Sequence, residues 1–181
     1  MRAFKDKTLT VGIAAVLLSA ASFYLLCKVN DLVFQELVYS HGVSWIFIPS
    51  GLRMALVLLL GAKGAVGVML GSLMVGLGGG QSLEVTVAAA ILSGLAPWLA
   101  RAICIRFLDL HADMRNLSGK LLLMMAPLFA LISAVMHQWL YVSAGLSASF
   151  LEGTLVMALG DLLGAVLVLY TAKAVLPLMR R

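Results

Sequence analysis

Two residues of opposite charge, Arg53 and Asp161, lie inside apolar stretches of the chain. Arg53 is ten residues past Val43 and Asp161 is ten past Leu151, and each of these positions begins an apolar segment. At a rise of about 1.5 Å per helical residue, both charges would lie about 15 Å along their helices. Charged side chains within membrane helices are costly, pair with one another and mark functional sites. The spacing therefore predicts a buried ion pair, either a structural lock between two helices or a ligand site in which Arg53 meets an anion.

Four more residues are candidates for the same site. Pro49 and Gly51 interrupt the apolar stretch about one turn before Arg53, and the backbone groups that such an interruption frees are tolerated only where protein or water satisfies them. His137 could titrate near neutral pH or contact a ligand, although a hydrogen-bonded structural histidine is the favoured interpretation. Glu152 is expected at the rim of an outward-facing vestibule.

The sequence has no pattern that supports catalysis or a cofactor. The histidines lack a metal-ligand spacing such as HExxH, and no nucleophile motif, carboxylate pair at fixed spacing or phosphate loop is found. Cys27 and Cys104 form no CxxC motif and are expected to remain free thiols. We therefore expect a protein that is not an enzyme and that uses no metal or cofactor.

The composition indicates a membrane protein. Hydrophobic residues make up 62% of the chain and charged residues 12%, against about 45–50% and about 25% in soluble domains. The net charge of +5 does not indicate nucleic acid binding, because the basic residues lie at the ends of apolar segments, where they set topology. The partner that the composition predicts is the lipid bilayer.

The apolar segments predict an all-α bundle of about six transmembrane helices, in a single domain that covers residues 1–181. The first segment is longer than the core of a secretory signal and is expected to be an uncleaved helix. Residues 31–42 are expected to form a short interfacial helix, with a plain loop as the alternative. Most basic residues would then lie at one face, which predicts that both termini are cytoplasmic. The predicted spans are 9–27, 43–60, 65–77, 85–105, 121–142 and 151–176.

Glycines at four-residue spacing recur in the apolar segments. Gly67 and Gly71 form one GxxxG pair, and Gly160 and Gly164 form another. This spacing puts both glycines on one helix face and lets backbones approach closely. We expect the pairs to pack elements within the monomer rather than to form a dedicated dimer motif.

Short motifs in the chain resemble a known family. The sequence IPSG at 48–51, the apolar run that follows to Gly61 and the small-residue helix around Gly71 are similar to the early core of the first membrane-associated sensor domain family. The sequence GDLLG at 160–164, followed by Pro177, is similar to the closing helix of that family. Those domains are integral-membrane sensory modules of bacteria that commonly precede cyclases, phosphodiesterases or histidine kinases. The positions that resemble the family are Pro49, Gly51, Gly160, Asp161 and Gly164.

The resemblance implies a sensory membrane domain over most of the chain. No output domain follows it in this sequence, so signalling is expected to require a separate partner. We therefore expect a multi-pass protein of the bacterial inner membrane that senses or binds a small molecule. The alternative is a small-solute transporter, or the substrate-binding membrane subunit of a larger transporter, which has a similar size and helix count. The predicted ligand-binding residues are Arg53, Asp161, His137, Glu152, Pro49 and Gly51.

Overall fold

The chain folds into helices joined by short connections, with one small hairpin. The computed structural model describes residues 2–40 and 42–175, and the side chains of 9–40 and 42–171. The helices are α1 (Arg2–Phe34), α2 (Pro49–Leu60), α3 (Ala62–Leu77), α4 (Leu83–Phe107), α5 (Gly119–Ser143) and α6 (Phe150–Val175). A 3₁₀ turn (Gln35–Leu37) follows α1, and it leads into the antiparallel strands β1 (Val38–Ser40) and β2 (Val43–Ser44).

Four segments are long and apolar enough to cross a membrane, as judged by length and composition. Large apolar side chains cover the outside of the bundle: Leu18, Leu123 and Leu151 are each about two-thirds exposed. An apolar outer surface of this extent is typical of contact with lipid, as the composition predicts. The four segments are Leu9–Leu37, Leu83–Phe107, Gly119–Ser143 and Phe150–Thr171.

The prediction of a helical second span, residues 43–60, is wrong in its first third. Residues 43–48 are not helical, and α2 begins only at Pro49. Pro49 lies in the first turn of α2, where its missing N–H removes no helical hydrogen bond, instead of kinking a longer helix. With 12 residues, α2 is about 18 Å long, so this helix alone is too short for a hydrocarbon layer of about 30 Å.

The prediction of an interfacial helix over residues 31–42 is also wrong. Residues 31–34 complete α1, which continues past its predicted end at Cys27, and the following residues form the 3₁₀ turn and the hairpin. Apolar residues were crowded there because the segment ends one helix and starts a strand. The predicted last residue of the final span, Leu176, and the motif residue Pro177 lie outside the described residues.

The non-helical segment 45–48 packs against α6 and α1, and groups of these helices accept hydrogen bonds from its backbone. Phe47 N donates to Gly160 O of α6 at 3.2 Å, and Ile48 N donates to Asn30 Oδ1 of α1 at 2.9 Å. Non-helical backbone is tolerated at membrane depth where the protein itself provides such hydrogen bonds. The segment is therefore an integral part of the bundle, and its end sets where α2 begins.

The glycine pairs make this close packing possible. A Cβ atom on Gly160 would overlap the carbonyl oxygen of Ser44, and one on Gly164 would overlap that of Phe47. The GxxxG pair of α3 packs on α1 in the same way. A Cβ atom on Gly67 would lie 2.7 Å from Val16 O, and one on Gly71 would lie 2.6 Å from Ala20 O. Both pairs thus pack elements within the monomer, as predicted.

The hairpin is tied to the start of α6. Tyr39 Oη donates to Glu152 Oε2 at 3.0 Å, and the Tyr39 ring meets Trp45 edge-on with ring centroids 6.3 Å apart. At the turn, Gly42 has φ = 69°, a conformation that favours glycine. A Cβ there would also lie 2.7 Å from Tyr141 Oη of α5. The hairpin therefore lies over the ends of α5 and α6 and is held there by both helices.

We expect Gly164→Ala to destabilise the protein by about 1–3 kcal/mol, because the added methyl group must displace the Phe47 carbonyl. Gly119→Ala is the matched control, since a Cβ at Gly119 meets no atom within 4 Å. Thermal unfolding of both variants in detergent measures the difference. Equal melting temperatures for the two variants would contradict the packing of residues 45–48 on α6.

The hydrogen bond to the Glu152 carboxylate raises the pKa of Tyr39 above its ordinary value of 10.0. Because the pKa is raised in the folded state, the tether stabilises the protein at pH values below about 10 and is lost as the pH rises through the folded-state pKa. Glu152→Ala should return the Tyr39 pKa towards 10.0. The phenolate absorbance titration, taken as the difference from Tyr39→Phe, measures this pKa. An unchanged titration in Glu152→Ala would show that the tether is not formed.

Candidate ligand site

Arg53 and Asp161 form a buried ion pair, which confirms the contact predicted from their equal depth. Arg53 Nη2 lies 3.0 Å from both carboxylate oxygens of Asp161, and the two side chains are 2% and 1% exposed. Ser50 Oγ, one turn earlier on α2, donates to Asp161 O at 2.6 Å. These contacts lock the short α2 against α6.

The surroundings of Arg53 hold its guanidinium in one place. Nη2 also donates to Ser133 Oγ of α5 at 3.2 Å. The guanidinium carbon lies 5.5 Å from the ring centroid of Phe47 and 5.3 Å from that of Phe129, distances at which cation–π attraction operates. Within the described residues, each hydrogen bond of Arg53 uses Nη2, and the buried Nε has no partner. A buried donor without an acceptor costs about 1–3 kcal/mol, so this side of the guanidinium is suited to a further acceptor.

Arg53 also lines a cavity of about 260 Å³ beneath the hairpin. Each of α1, α3, α4, α5 and α6 contributes to the walls, and the hairpin contributes Val38, Gly42 and Ser44. The lining contains both polar and apolar groups. The polar residues of the helices and connections are Asp31, Arg53, Ser72, Gln81, Thr86, Ser93, His137 and Tyr141, and the apolar ones include Phe23, Cys27, Val75, Ala89 and Met157.

A chain of hydrogen bonds runs from the cavity wall to the ion pair. Ser72 Oγ of α3 donates to Ser93 Oγ of α4 at 3.0 Å, and Ser93 Oγ lies 3.3 Å from His137 Nε2. His137 Nδ1 lies 2.8 Å from Ser133 O, and the Ser133 hydroxyl accepts from Arg53. This polar network joins α3, α4, α5 and α2, and through the ion pair it reaches α6.

Thr86 is a second buried group at the cavity that has no partner. The residue is 2% exposed, and its hydroxyl makes no hydrogen bond within the described residues. Buried hydroxyls are nearly always paired with protein or with ordered water. A solute or water in the cavity beside Thr86 would therefore satisfy this hydroxyl.

Three of the six predicted site residues come together at the cavity. Arg53 and His137 line it, and Asp161 lies directly behind Arg53. Both lining residues are 2% exposed, so the cavity presents them away from the surface of the bundle.

The other three predicted residues have positioning roles. Pro49 and Gly51 do not line the cavity; they form the first turn of α2, and a Cβ on Gly51 would lie 2.6 Å from Gly164 O. Glu152 is exposed and tethers the hairpin through Tyr39. These residues place Arg53 and cover the cavity rather than contact its contents.

The uncharged residues of the cavity are absent from the predicted site. Ser72, Thr86 and Ser93 are single small polar residues in apolar helices, where such residues also serve ordinary packing. The seven-residue spacing of Thr86 and Ser93 puts them on one face of α4, which is the signal that could have found them. Cys27 is a free buried thiol of the cavity wall, whereas Cys104, also free, lies in a separate core that α2, α4, α5 and α6 form.

Two other features of the described residues bear on where a ligand could bind. Among the residues that the structure describes, no group of His, Cys, Asp or Glu side chains is placed to hold a metal ion. A larger hollow of about 540 Å³ lies between α4 and α5, and residues such as Ile91 and Trp139 line it and are exposed on the bundle surface. An apolar surface groove of this kind suits lipid chains, so the cavity at Arg53 is the candidate polar site.

The fold and the cavity define a class: a helical protein with segments suited to crossing a membrane and a polar cavity among its helices. No protein-family model, curated protein or solved structure matches this chain. The resemblance to the first membrane-associated sensor domain family therefore stays a prediction from the quoted motifs.

We expect Arg53→Met to destabilise the protein by about 3–5 kcal/mol, because it leaves the buried Asp161 carboxylate without its partner. Adding Asp161→Asn should recover most of this loss, since an amide is less costly to bury than a lone carboxylate. Thermal unfolding of the single and double variants in detergent measures the coupling free energy between Arg53 and Asp161.

Arg115→Met is the matched control for this cycle. Arg115 pairs with Asp113 at 2.6 Å, but the two side chains are 76% and 54% exposed. Exposed pairs contribute about 0–1 kcal/mol to stability. The melting temperature of this variant should therefore be close to that of the unmodified protein. Unchanged stability of Arg53→Met would contradict the buried pair.

Proposed function

We propose that this chain is a non-catalytic membrane module that binds a small solute in the cavity at Arg53 and reports its occupancy to a separate partner protein. The observation that supports this most is the buried Arg53 Nε without a partner, on a side chain that lines a polar cavity. Convergent polar groups on a partly apolar wall are typical of small-molecule sites. The volume of about 260 Å³ is below the usual range of about 300–1,000 Å³ for ligand pockets, which favours a small solute.

In this proposal the chain crosses the inner membrane of a bacterium six times, with both termini in the cytoplasm. The second crossing combines β2, the non-helical segment 45–48 and α2, and the third is α3. The 16 residues of α3 reach about 24 Å. The basic residues at the helix ends support this orientation. The hairpin and the cavity then face the outside, where a solute can reach Arg53.

The polar network supports a sensory role. It joins α2 to α3, α4, α5 and α6 within the wall of the cavity. A solute that engages Arg53 adds a member to this network, so the empty and occupied states differ in free energy. A partner that contacts either state preferentially can then read the occupancy.

One observation favours transport as a second candidate. Helix α2 has only 12 residues, and it begins within the bundle, one turn before Arg53 at the cavity wall. Discontinuous helices of this kind hold the substrate sites of many transporters. Uptake of a bound solute into proteoliposomes that contain only this chain, or this chain with an energy-coupling partner, would identify the protein as a transporter. Binding without uptake in either preparation would favour the sensory role.

The first test of binding is thermal stability of the purified protein against small anions, amino acids, vitamins and nucleotides. A solute at 100 times its dissociation constant should add roughly 2.7 kcal/mol of stability. If no member of this panel stabilises the protein, the cavity is not a solute site and the Arg53 pair serves only as a lock.

Thr86→Val should leave the stability of the empty protein unchanged or slightly higher, because it replaces an unpaired buried hydroxyl with a methyl group. The same variant should reduce the stabilisation that a bound solute provides. Thr154→Val is the matched control, since Thr154 is also buried and unpaired within the described residues but lies outside the cavity lining. Equal solute effects in the two variants would remove Thr86 from the site.

A further inference from the structure

The charges at the cavity cancel when it holds no charged solute. Arg53 and Asp161 are paired and almost fully buried, so together they present no net charge. Among the described lining residues the other charged side chain is Asp31, which is exposed to solvent at the rim. An anion that reached Arg53 would therefore bring an unbalanced negative charge into the apolar bundle, and this is costly. A neighbouring group that gains a proton would supply the compensating positive charge.

The ring of His137 is arranged to carry such a charge. Nδ1 lies 2.8 Å from Ser133 O, which can only accept, so Nδ1 carries a hydrogen. Nε2 lies 3.3 Å from Ser93 Oγ, whose own hydrogen is donated to Ala89 O at 2.9 Å. Both ring nitrogens thus face acceptors. With the Ser93 hydroxyl in this orientation, the doubly protonated imidazolium satisfies all of these contacts.

The neutral ring requires only a rotation of one hydroxyl. When Nε2 carries no hydrogen, the Ser93 hydroxyl can turn from Ala89 O to Nε2 while it still accepts from Ser72 Oγ. Uptake of a proton by Nε2 reverses this rotation. His137 therefore has two complete hydrogen-bond patterns that differ by one proton and need no helix movement.

Among the titratable groups around His137, the imidazole is the one suited to gain a positive charge by taking up a proton. Asp161 is held as a carboxylate partner of Arg53, and a proton there would break the pair. Tyrosine and cysteine are neutral near pH 7 and cannot gain a positive charge. Helices α3 and α4 contribute hydroxyl groups and no charged side chain to the described lining. The titratable and charged groups around His137 are Arg53 on α2, Asp161 on α6, Tyr141 on α5, and Cys27 and Asp31 on α1.

We propose that the cavity takes a small monoanion of the carboxylate type together with one proton, which binds to His137 Nε2. The anion accepts from the free donor Arg53 Nε, and the imidazolium balances its charge. The proton comes from solvent, and no other bond is made or broken. This inference rests on the proposed binding function and adds to it the chemical class of the solute and its coupling to a proton.

The test is isothermal titration of the full chain in lipid nanodiscs with acetate, butyrate and benzoate, each in two buffers of different ionisation heat. The neutral amides acetamide, butyramide and benzamide serve as size-matched solutes. We expect about one proton to be taken up for each carboxylate bound, and none with an amide. The affinity for the carboxylate should fall about tenfold for each unit of pH increase while His137 starts neutral.

Two variants locate the proton. His137→Gln keeps hydrogen-bonding groups but cannot gain a charge, so proton uptake should vanish and the carboxylate should bind at least about tenfold more weakly, which corresponds to 1.4 kcal/mol. His111→Gln is the matched control, because His111 is exposed and lies outside the cavity lining, and it should keep the uptake of one proton. If His137→Gln does not fold, the ring nitrogen signals of ¹⁵N-histidine in the unmodified protein still decide the matter, because benzoate should convert one histidine to the imidazolium form.

Three results would overturn the proposal. They are carboxylate binding without proton uptake, proton uptake that persists in His137→Gln, and no carboxylate binding at any pH from about 5 to 8. In the last case the binding function itself still stands if another solute of the thermal-stability panel protects the protein. These results therefore distinguish a failure of the proposed proton coupling from a failure of the proposed binding function.

Discussion

The charge of Arg53 is the constraint on which the rest of the structure depends. A guanidinium in an apolar bundle needs partners from every side, and here they come from two helices and a non-helical segment. Asp161 of α6 and Ser133 of α5 accept its hydrogen bonds, while Phe47 and Phe129 cover its faces. Because Arg53 lies one turn into α2, these partners also fix where that short helix begins.

The same arginine can be both a lock and part of a binding site. The sequence left these as alternatives, but the geometry divides the roles between nitrogens of one side chain. Nη2 makes the contacts to Asp161 and Ser133, whereas Nε is buried without an acceptor, on a side chain that borders the cavity. A solute bound at Nε, as proposed, would leave the ion pair intact.

The non-helical segment before α2 makes room for the cavity. A continuous helix over residues 43–60 would have filled the space next to α6 with side chains. Instead, the segment 45–48 lies against the bare backbone at Gly160 and Gly164, and the hairpin covers the cavity from above. The cost of leaving helical geometry is offset by hydrogen bonds to α6 and to Asn30 of α1.

The sequence by itself determined the apolar helices, the roles of the glycine pairs and the contact between Arg53 and Asp161. These follow from composition, from four-residue spacing and from equal depth, which are properties of a helix taken alone or with one partner. Only the tertiary structure decided that residues 43–48 leave the helix and that Ser72, Thr86, Ser93 and His137 meet at one cavity. Hydropathy is the same for an extended and a helical apolar segment, and a lone hydroxyl in an apolar helix acquires its role only from the helices that pack around it.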